Sequence, residues 1–301
     1  MSNGVKIIVF SALCLIWSST WIMIKVGLEG APPVTAAGIR FIIASIIIFA
    51  ILRHQRIKLP RERTFLYLSL FLGLFQIAVP YALVYWAEQF ITSGLTSVLF
   101  STMPLTVAIL ARLFLGDPLT LPKVGGILIG TLGVVVIFSD GLSLGGREGL
   151  WGITAVLLSA FFASLSSIAV KRYSRAYHPL ASIFVPMIVG GIVLVTGGRL
   201  IEMHRTIRFD TLTVTSIVYL AVFGSVAAFG LYYWIIKHID VTILSYQTFI
   251  IPSLACLIGW IFLRETVTLR VAMGGGMIIA GIALATLSRS REKRIADVGP
   301  R

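Results

Sequence analysis

The chain has 301 residues, of which 57% are apolar and only 12% are charged. Because a soluble domain carries about a quarter charged residues, this composition excludes an ordinary soluble fold and indicates a chain embedded in lipid. The net charge of +13 is also typical of nucleic-acid-binding proteins, but the placement of basic residues in membrane proteins explains it better, so we expect no nucleic-acid partner.

A helix crosses a bilayer with about 20 mostly apolar residues. Ten runs of this kind follow one another: 7–24, 30–52, 64–87, 89–111, 124–139, 149–170, 179–198, 211–236, 241–263 and 271–288. The fifth run is the shortest and is rich in glycine, and Arg40 is the only charged residue well inside a run. The sequence therefore predicts an all-α membrane protein with ten transmembrane helices.

Basic residues are unevenly distributed between the two sets of predicted loops. With the N-terminus inside, 17 of the 25 lie on the cytoplasmic side and seven on the opposite side. The positive-inside rule then places both termini in the cytoplasm, as an even number of spans also requires. We expect a multi-pass protein of the bacterial inner membrane.

The second half of the chain repeats the first. At an offset of 148 residues, Pro104 aligns with Pro252. At the same offset, Leu83, Tyr85 and Trp86 align with identical residues at 231, 233 and 234, and residues 114–115 align with 262–263. The first two spans match the sixth and seventh at an offset of 146. Five spans per copy is an odd number, so the copies enter the membrane from opposite faces, as in many secondary transporters. We predict five-helix repeats over 1–140 and 149–288, followed by a cytoplasmic tail over 289–301.

Short motifs in both halves resemble those of a known family. They are Trp17-Ser18-Ser19-Thr20-Trp21 followed by Lys25, Arg40-Phe41, Leu115-Gly116-Asp117-Pro118-Leu119-Thr120 and its counterpart Leu263-Arg264-Glu265-Thr266-Val267-Thr268. The chain resembles the drug/metabolite transporter superfamily, specifically its ten-helix exporters with two EamA-type halves. Asp117 and Arg264 depart from the family's usual Gly-Glu-Pro. The resemblance implies transport of small metabolites, and the family includes amino-acid exporters.

Ionisable residues within spans usually mark ion or proton pathways. All twelve acidic residues and all four histidines fall in predicted loops, tails or helix ends, so the sequence predicts transport without a proton-relay carboxylate at the midplane. Arg40 either extends to the outer interface, pairs with Glu29 or attracts a substrate carboxylate. Lys25 is interpreted as an anchor at the membrane edge.

Polar and aromatic residues within the first, third, fourth, sixth, eighth and ninth spans are candidates to line a central path. Buried hydroxyl and amide groups facing lipid would lack partners, so they should face a cavity or another helix. The alternative is that hydroxyls bond their own helix and rings belong to interfacial belts. The predicted path residues are Trp17, Thr20, Trp21, Gln76, Tyr81, Tyr85, Ser97, Ser101, Ser166, Phe229, Tyr233, Tyr246 and Gln247.

Pro80, Pro104 and Pro252 lie within predicted helices and are candidate hinges, or fixed bends that shape the cavity. The glycines of the fifth and tenth spans predict close contact between these two helices, outside the path. The two cysteines, Cys14 and Cys256, lie in apolar runs, and we expect neither a metal nor a cofactor.

The sequence thus predicts an exporter of neutral or zwitterionic metabolites, best fitted by aromatic or hydrophobic amino acids, that works by alternating access. One chain contains both halves, so a functional monomer is expected, with the bilayer and a small substrate as its partners. The alternatives are a multidrug exporter of lipophilic cations, which would lack a membrane-embedded carboxylate, a channel and an intramembrane enzyme. The sequence contains no catalytic motif that favours the enzyme.

Overall fold

A computed structural model describes residues 3–140, 146–173, 177–235, 238, 244 and 247–297. Their regular structure is entirely helical and groups into ten helical units. The units are α1 Asn3–Gly27, α2 Pro33–His54, α3 Arg63–Ala87, α4 Ser93–Leu115, α5 Leu121–Asp140, α6 Gly146–Tyr173, α7 Pro179–Ile201, α8 211–235, α9 Gln247–Leu263 and α10 Leu269–Asp297.

Seven of these units, namely α1–α4 and α6–α8, are long and apolar enough to cross a membrane. The apolar parts of α5, α9 and α10 are shorter, over 121–137, 247–263 and 269–285. Large apolar side chains cover the outside of the bundle, and Leu113 and Leu128, for example, are 70% and 60% exposed. Such a surface requires lipid as its solvent, which confirms an all-helical membrane protein. The number of spans, ten, stays a prediction.

Two of the helices contain a π-helical segment near their middle. Gly73–Ala78 interrupts α3, and Val222–Ala227 interrupts α8. A π-segment leaves backbone carbonyls without their usual partners and is frequent at functional sites. The two segments lie at nearly equivalent positions of the predicted repeats.

The three candidate hinge prolines occupy different local structures. Pro80 lies two residues after the π-segment of α3, and Pro104 lies in the first turn of the second part of α4, which follows a turn at Ser101–Thr102. Pro252 lies inside α9. Pro186 inside α7 is a further proline of this kind that the sequence analysis did not single out. Their role as hinges stays a prediction.

Glycines bring α5 and α10 into direct backbone contact. A Cβ on Gly133 would lie 2.5 Å from the carbonyl oxygen of Gly274, and a Cβ on Gly274 would lie 2.6 Å from that of Gly133. These helices therefore pack as the glycine pattern predicts. Small residues join α2 to α7 similarly, because Gly38 faces the backbone of Val195.

The two ends of the bundle are named from the predicted orientation. The outer end carries the connections 28–32, 88–92, 202–210 and 264–268, and the inner end carries 55–62, 116–120 and 177–178. At the outer end, the Glu202 carboxylate accepts hydrogen bonds from the backbone N–H groups of Val34 and Thr35, at 2.8 and 2.9 Å, and from the Thr35 hydroxyl. It thus caps α2 and ties it to the end of α7.

Replacing Gly274 with alanine should lower the melting temperature, because the added methyl group meets the Gly133 carbonyl at 2.6 Å. Overpacking of this kind costs roughly 1–3 kcal/mol. Gly276→Ala, two residues along the same helix, is the matched control, since nothing lies within 4 Å of its Cβ position. Thermal unfolding of both variants in detergent measures the difference, and equal melting temperatures would contradict the contact.

Candidate substrate path and outer gate

Aromatic rings from four helices lie in the interior of the bundle. The Trp17 ring lies 6.3 Å from that of Phe229 and 5.6 Å from that of Tyr232, whereas Trp21 lies 5.6 Å from Phe100. The rings of Trp17, Trp21, Phe100 and Phe229, together with Tyr81, are partly exposed, and we call these five residues the aromatic cluster. Phe100 and Tyr232 belong to runs that the sequence analysis assigned to the path but were not predicted individually.

Arg40 lies beside this cluster and is 2% exposed. Its Nε donates a hydrogen bond to the Ser225 hydroxyl at 3.1 Å, and its two terminal nitrogens lie 3.4 Å from the Tyr85 hydroxyl and from the carbonyl oxygen of Gly224. The guanidinium carbon lies 5.1 Å from the ring centroid of Tyr81. Arg40 therefore neither extends to the interface nor pairs with Glu29, which corrects two of the three interpretations.

The contacts of Arg40 connect α2 to the π-segment of α8. Gly224 and Ser225 belong to that segment, and a Cβ on Gly224 would meet both the Thr20 methyl group and the Arg40 guanidinium. A backbone carbonyl of the π-segment, that of Gly224, is thus one of the acceptors of Arg40. The third interpretation, recognition of a substrate carboxylate, is compatible with this geometry.

The predicted hydroxyl and amide residues divide into two groups. Thr20 and Ser101 donate to the carbonyls of Trp17 and Val98 in their own helices, as in the alternative interpretation. In contrast, buried oxygens of Ser97, Ser166 and Gln247 have no hydrogen-bond partner among the described residues.

Gln76 is partly exposed within the π-segment of α3. Tyr246 and the side chain of Tyr233 lie outside the described residues.

A cavity of about 440 Å³ lies towards the inner end, between α2, α7 and α8. Ile48, Gln55, His178, Phe229 and Trp234 are among its lining residues. Its volume suits a small organic molecule. Phe229 belongs to both this cavity and the aromatic cluster, so the cavity extends along α8 from the cluster towards the inner end.

Three charged residues meet at the outer end. The Lys25 ammonium donates to the backbone carbonyls of Glu88 and, at 2.9 Å, of Ile91, so it caps α3 rather than anchoring α1 in the interface, which corrects that interpretation. The Glu265 carboxylate accepts from the N–H groups of Ser93 and Gly94, at 2.8 and 3.2 Å, and caps α4. We call Lys25, Glu88 and Glu265 the outer gate.

Glu88 is the member of the outer gate that the sequence analysis overlooked. It directly follows α3, as predicted for a helix end, but its side chain is 0% exposed. Neither carboxyl oxygen has a hydrogen-bond partner among the described residues. A buried carboxyl therefore exists in the described part of the chain, and only its position at a helix end concealed it.

The predicted repeat relates this gate to an ion pair at the inner end. Lys171 and Asp117, the counterparts of Lys25 and Glu265, form a salt bridge of 2.8 Å. Their side chains are 41% and 36% exposed. At the outer end Glu88 is fully buried and Lys25 and Glu265 are partly buried, whereas Lys171 at the inner end is exposed to solvent.

The sequence model of the EamA-like transporter family matches residues 4–139 and 150–287. The chain belongs to this family. Its similarity extends to the uncharacterized inner membrane transporter YedA of Escherichia coli (strain K12), which is 30% identical over 92% of this chain and 89% of the relative. The protein is accordingly a multi-pass membrane transporter of the bacterial inner membrane.

Other relatives and a solved structure extend over almost the whole chain. The uncharacterized transporter YoaV of Bacillus subtilis (strain 168) is 26% identical over 94% of this chain and 97% of its own length. A crystal structure with 19% identity covers 97% of this transporter and 100% of the solved chain with a TM-score of 0.66. The similarity to this solved structure shows a shared fold.

Glu265→Ala should destabilise the outer end, because it removes the carboxylate that accepts three hydrogen bonds at the start of α4. A hydrogen bond to a charged group contributes roughly 1.5–3 kcal/mol, so the melting temperature should fall clearly. Glu29→Ala is the control, since Glu29 is exposed at the same end. An unchanged melting temperature for Glu265→Ala would contradict the cap.

Proposed function

We propose that this transporter exports small zwitterionic metabolites, best represented by aromatic and hydrophobic amino acids. The observation that carries the proposal is a buried guanidinium next to an aromatic cluster, without a carboxylate within ion-pair distance among the described residues. A buried charge of this kind in a membrane usually serves function. The apolar portion of the substrate would contact Trp17 and Phe229, and its carboxylate would bind Arg40.

The hydrogen bonds of Arg40 leave room for such a ligand. Two of its three contacts are 3.4 Å long, close to the limit of a hydrogen bond. A carboxylate would replace them with hydrogen bonds in which the acceptor is charged as well as the donor, and it can bind the guanidinium with both oxygens. The unpartnered hydroxyls of Ser97 and Ser166 are further donors that a polar substrate group can use.

Transport would proceed by alternating access between two inverted five-helix halves, 1–140 and 149–288, with ten spans and both termini in the cytoplasm. The fully buried Glu88 at the outer end and the exposed Lys171 at the inner end support an arrangement that is closed outside. Substrate would enter through the cavity beside Phe229 and Trp234. A single chain supplies both halves, so a monomer suffices.

The competing substrate class, lipophilic cations, fits this interior less well. Arg40 would repel a cation at the aromatic cluster, and the described carboxyl that is fully buried, Glu88, lies at the outer end beside Lys25. Electrostatic repulsion of this kind selects against a ligand as effectively as attraction selects for one.

Purified protein in proteoliposomes should carry labelled phenylalanine with saturable kinetics. Trp17→Ala and Phe229→Ala should raise KM by roughly 5- to 10-fold, since each removes ring contacts contributing about 1–1.5 kcal/mol. Ile46→Ala, on the exposed face of α2, is the control and should leave KM unchanged. The absence of saturable amino-acid flux in the wild type would reject the proposed substrate class.

Arg40→Gln should weaken transport of phenylalanine by about 10- to 100-fold, as expected for the loss of a charge-assisted bond. The amide of phenylalanine, which has no carboxylate, should lose little, so the variant should no longer discriminate between the two compounds. A purely structural role of Arg40 would lower both fluxes by the same factor. Competition assays with both compounds distinguish these results.

A further inference from the structure

The outer gate encloses a carboxyl group that is exceptional among the charged groups around it. Glu265 accepts hydrogen bonds from Ser93 and Gly94, and Lys25 donates to two backbone carbonyls. Glu88 is more deeply buried, at 0% exposed, but neither of its carboxyl oxygens has a hydrogen bond among the described residues. An ionised carboxylate that loses its water without gaining donors is strongly disfavoured, so closure around Glu88 favours its neutral form.

The charged and titratable neighbours of Glu88 come from four parts of the chain. Lys25 of α1 and Arg40 of α2 attract a negative charge at this position, whereas Glu265, which follows α9, repels it. Tyr85 lies one turn earlier in the same helix, and its hydroxyl is directed to Arg40. Two cations facing two acids balance only when Glu88 is ionised, but neither cation donates a hydrogen bond to its carboxylate. Burial without donors therefore outweighs the attraction.

From this geometry we infer that Glu88 is a proton-binding site, and that the outer gate closes with a proton bound there. When the outer end opens, water reaches the carboxyl, its O–H bond breaks and the proton passes to the outer solution. When the outer end closes, a proton returns from the same side. No net proton crosses the membrane in this cycle, so the external pH controls access to the path without driving transport.

The direction of the effect follows from which state binds the proton. The closed gate holds Glu88 protonated and the open gate releases the proton, so low external pH favours closure and high external pH favours opening. For one linked proton, the ratio of open to closed molecules changes by at most about tenfold per pH unit. Glu88→Gln, which is neutral at every pH, should keep the gate closed throughout.

Cys256 offers a reporter of gate opening that needs no substrate. It lies on α9 against the start of α4, where a Cβ on Gly94 would be 3.0 Å from its sulfur atom. The variant Cys14→Ala leaves it as the single thiol of the chain. Its rate of reaction with a membrane-impermeant thiol reagent from the outer side is measured between pH 5.5 and pH 8 in proteoliposomes. At each pH, the rate measured with Glu88 present is divided by the rate of the Glu88→Gln variant. This ratio cancels the pH dependence that comes from titration of the thiol itself.

The expected ratio is close to one at pH 5.5 and rises several-fold by pH 8. Glu88→Leu provides a second neutral side chain and should match Glu88→Gln. Glu62→Gln, which alters an acid at the inner end, should follow the wild type. A ratio that stays constant over this range would overturn the inference. Because no substrate takes part, this result is independent of whether amino acids are transported.

Discussion

The need to satisfy every backbone polar group without water governs this structure more than any other constraint. In lipid, only helices supply all of their own hydrogen bonds, and each helix end still leaves groups without partners. At the outer end, side chains from other helices provide these partners. Glu202 caps α2, Glu265 caps α4 and Lys25 caps the carbonyl end of α3. The charged residues of the outer end are therefore structural groups that also hold distant parts of the chain together.

This arrangement links closure of the outer end to hydrogen bonding of helix ends. Glu265 follows α9 and Lys25 belongs to α1, but both bind the connection between α3 and α4. Separating these helices would expose the end of α3 and the start of α4 at once, and water would then replace the lost partners. At the inner end, the corresponding Lys171–Asp117 pair is already exposed, and exposed ion pairs contribute little to stability. The two ends thus differ in how strongly they are closed.

Much of the fold follows from the sequence, because hydrophobic length and glycine spacing are local properties. The runs of apolar residues coincide with the helical units, and the glycines of 125–133 and 274–281 do bring α5 and α10 into contact. The EamA-type resemblance is confirmed over both halves. The π-segments of α3 and α8 could not be predicted, since they arise from packing between helices rather than from composition.

The site was less predictable, because burial of a charge depends on the neighbours that the fold supplies. Arg40 stood out as a cation inside a span, but its partners Ser225 and Tyr85 are distant in sequence. Glu88 was assigned with the other acidic residues to loops, tails or helix ends, and Lys25 was interpreted as an anchor at the membrane edge. In the fold Glu88 is fully buried, and Lys25 donates to two carbonyls of the connection between α3 and α4. Hydropathy identifies where a span ends but not whether its end is covered.

Arg40 and Glu88 together connect the proposed site to the proposed gate. Tyr85, whose hydroxyl lies 3.4 Å from Arg40, is one helical turn from Glu88, and the two charges attract each other. With Glu88 protonated, Arg40 would lose a nearby negative charge, so under the proposed function a substrate carboxylate would bind it more strongly while the outer end is closed. If the gate opened and Glu88 ionised, the two carboxylates would compete for the same cation. By linkage, the substrate would then bind more weakly in the open form, which would favour its release to the outer side.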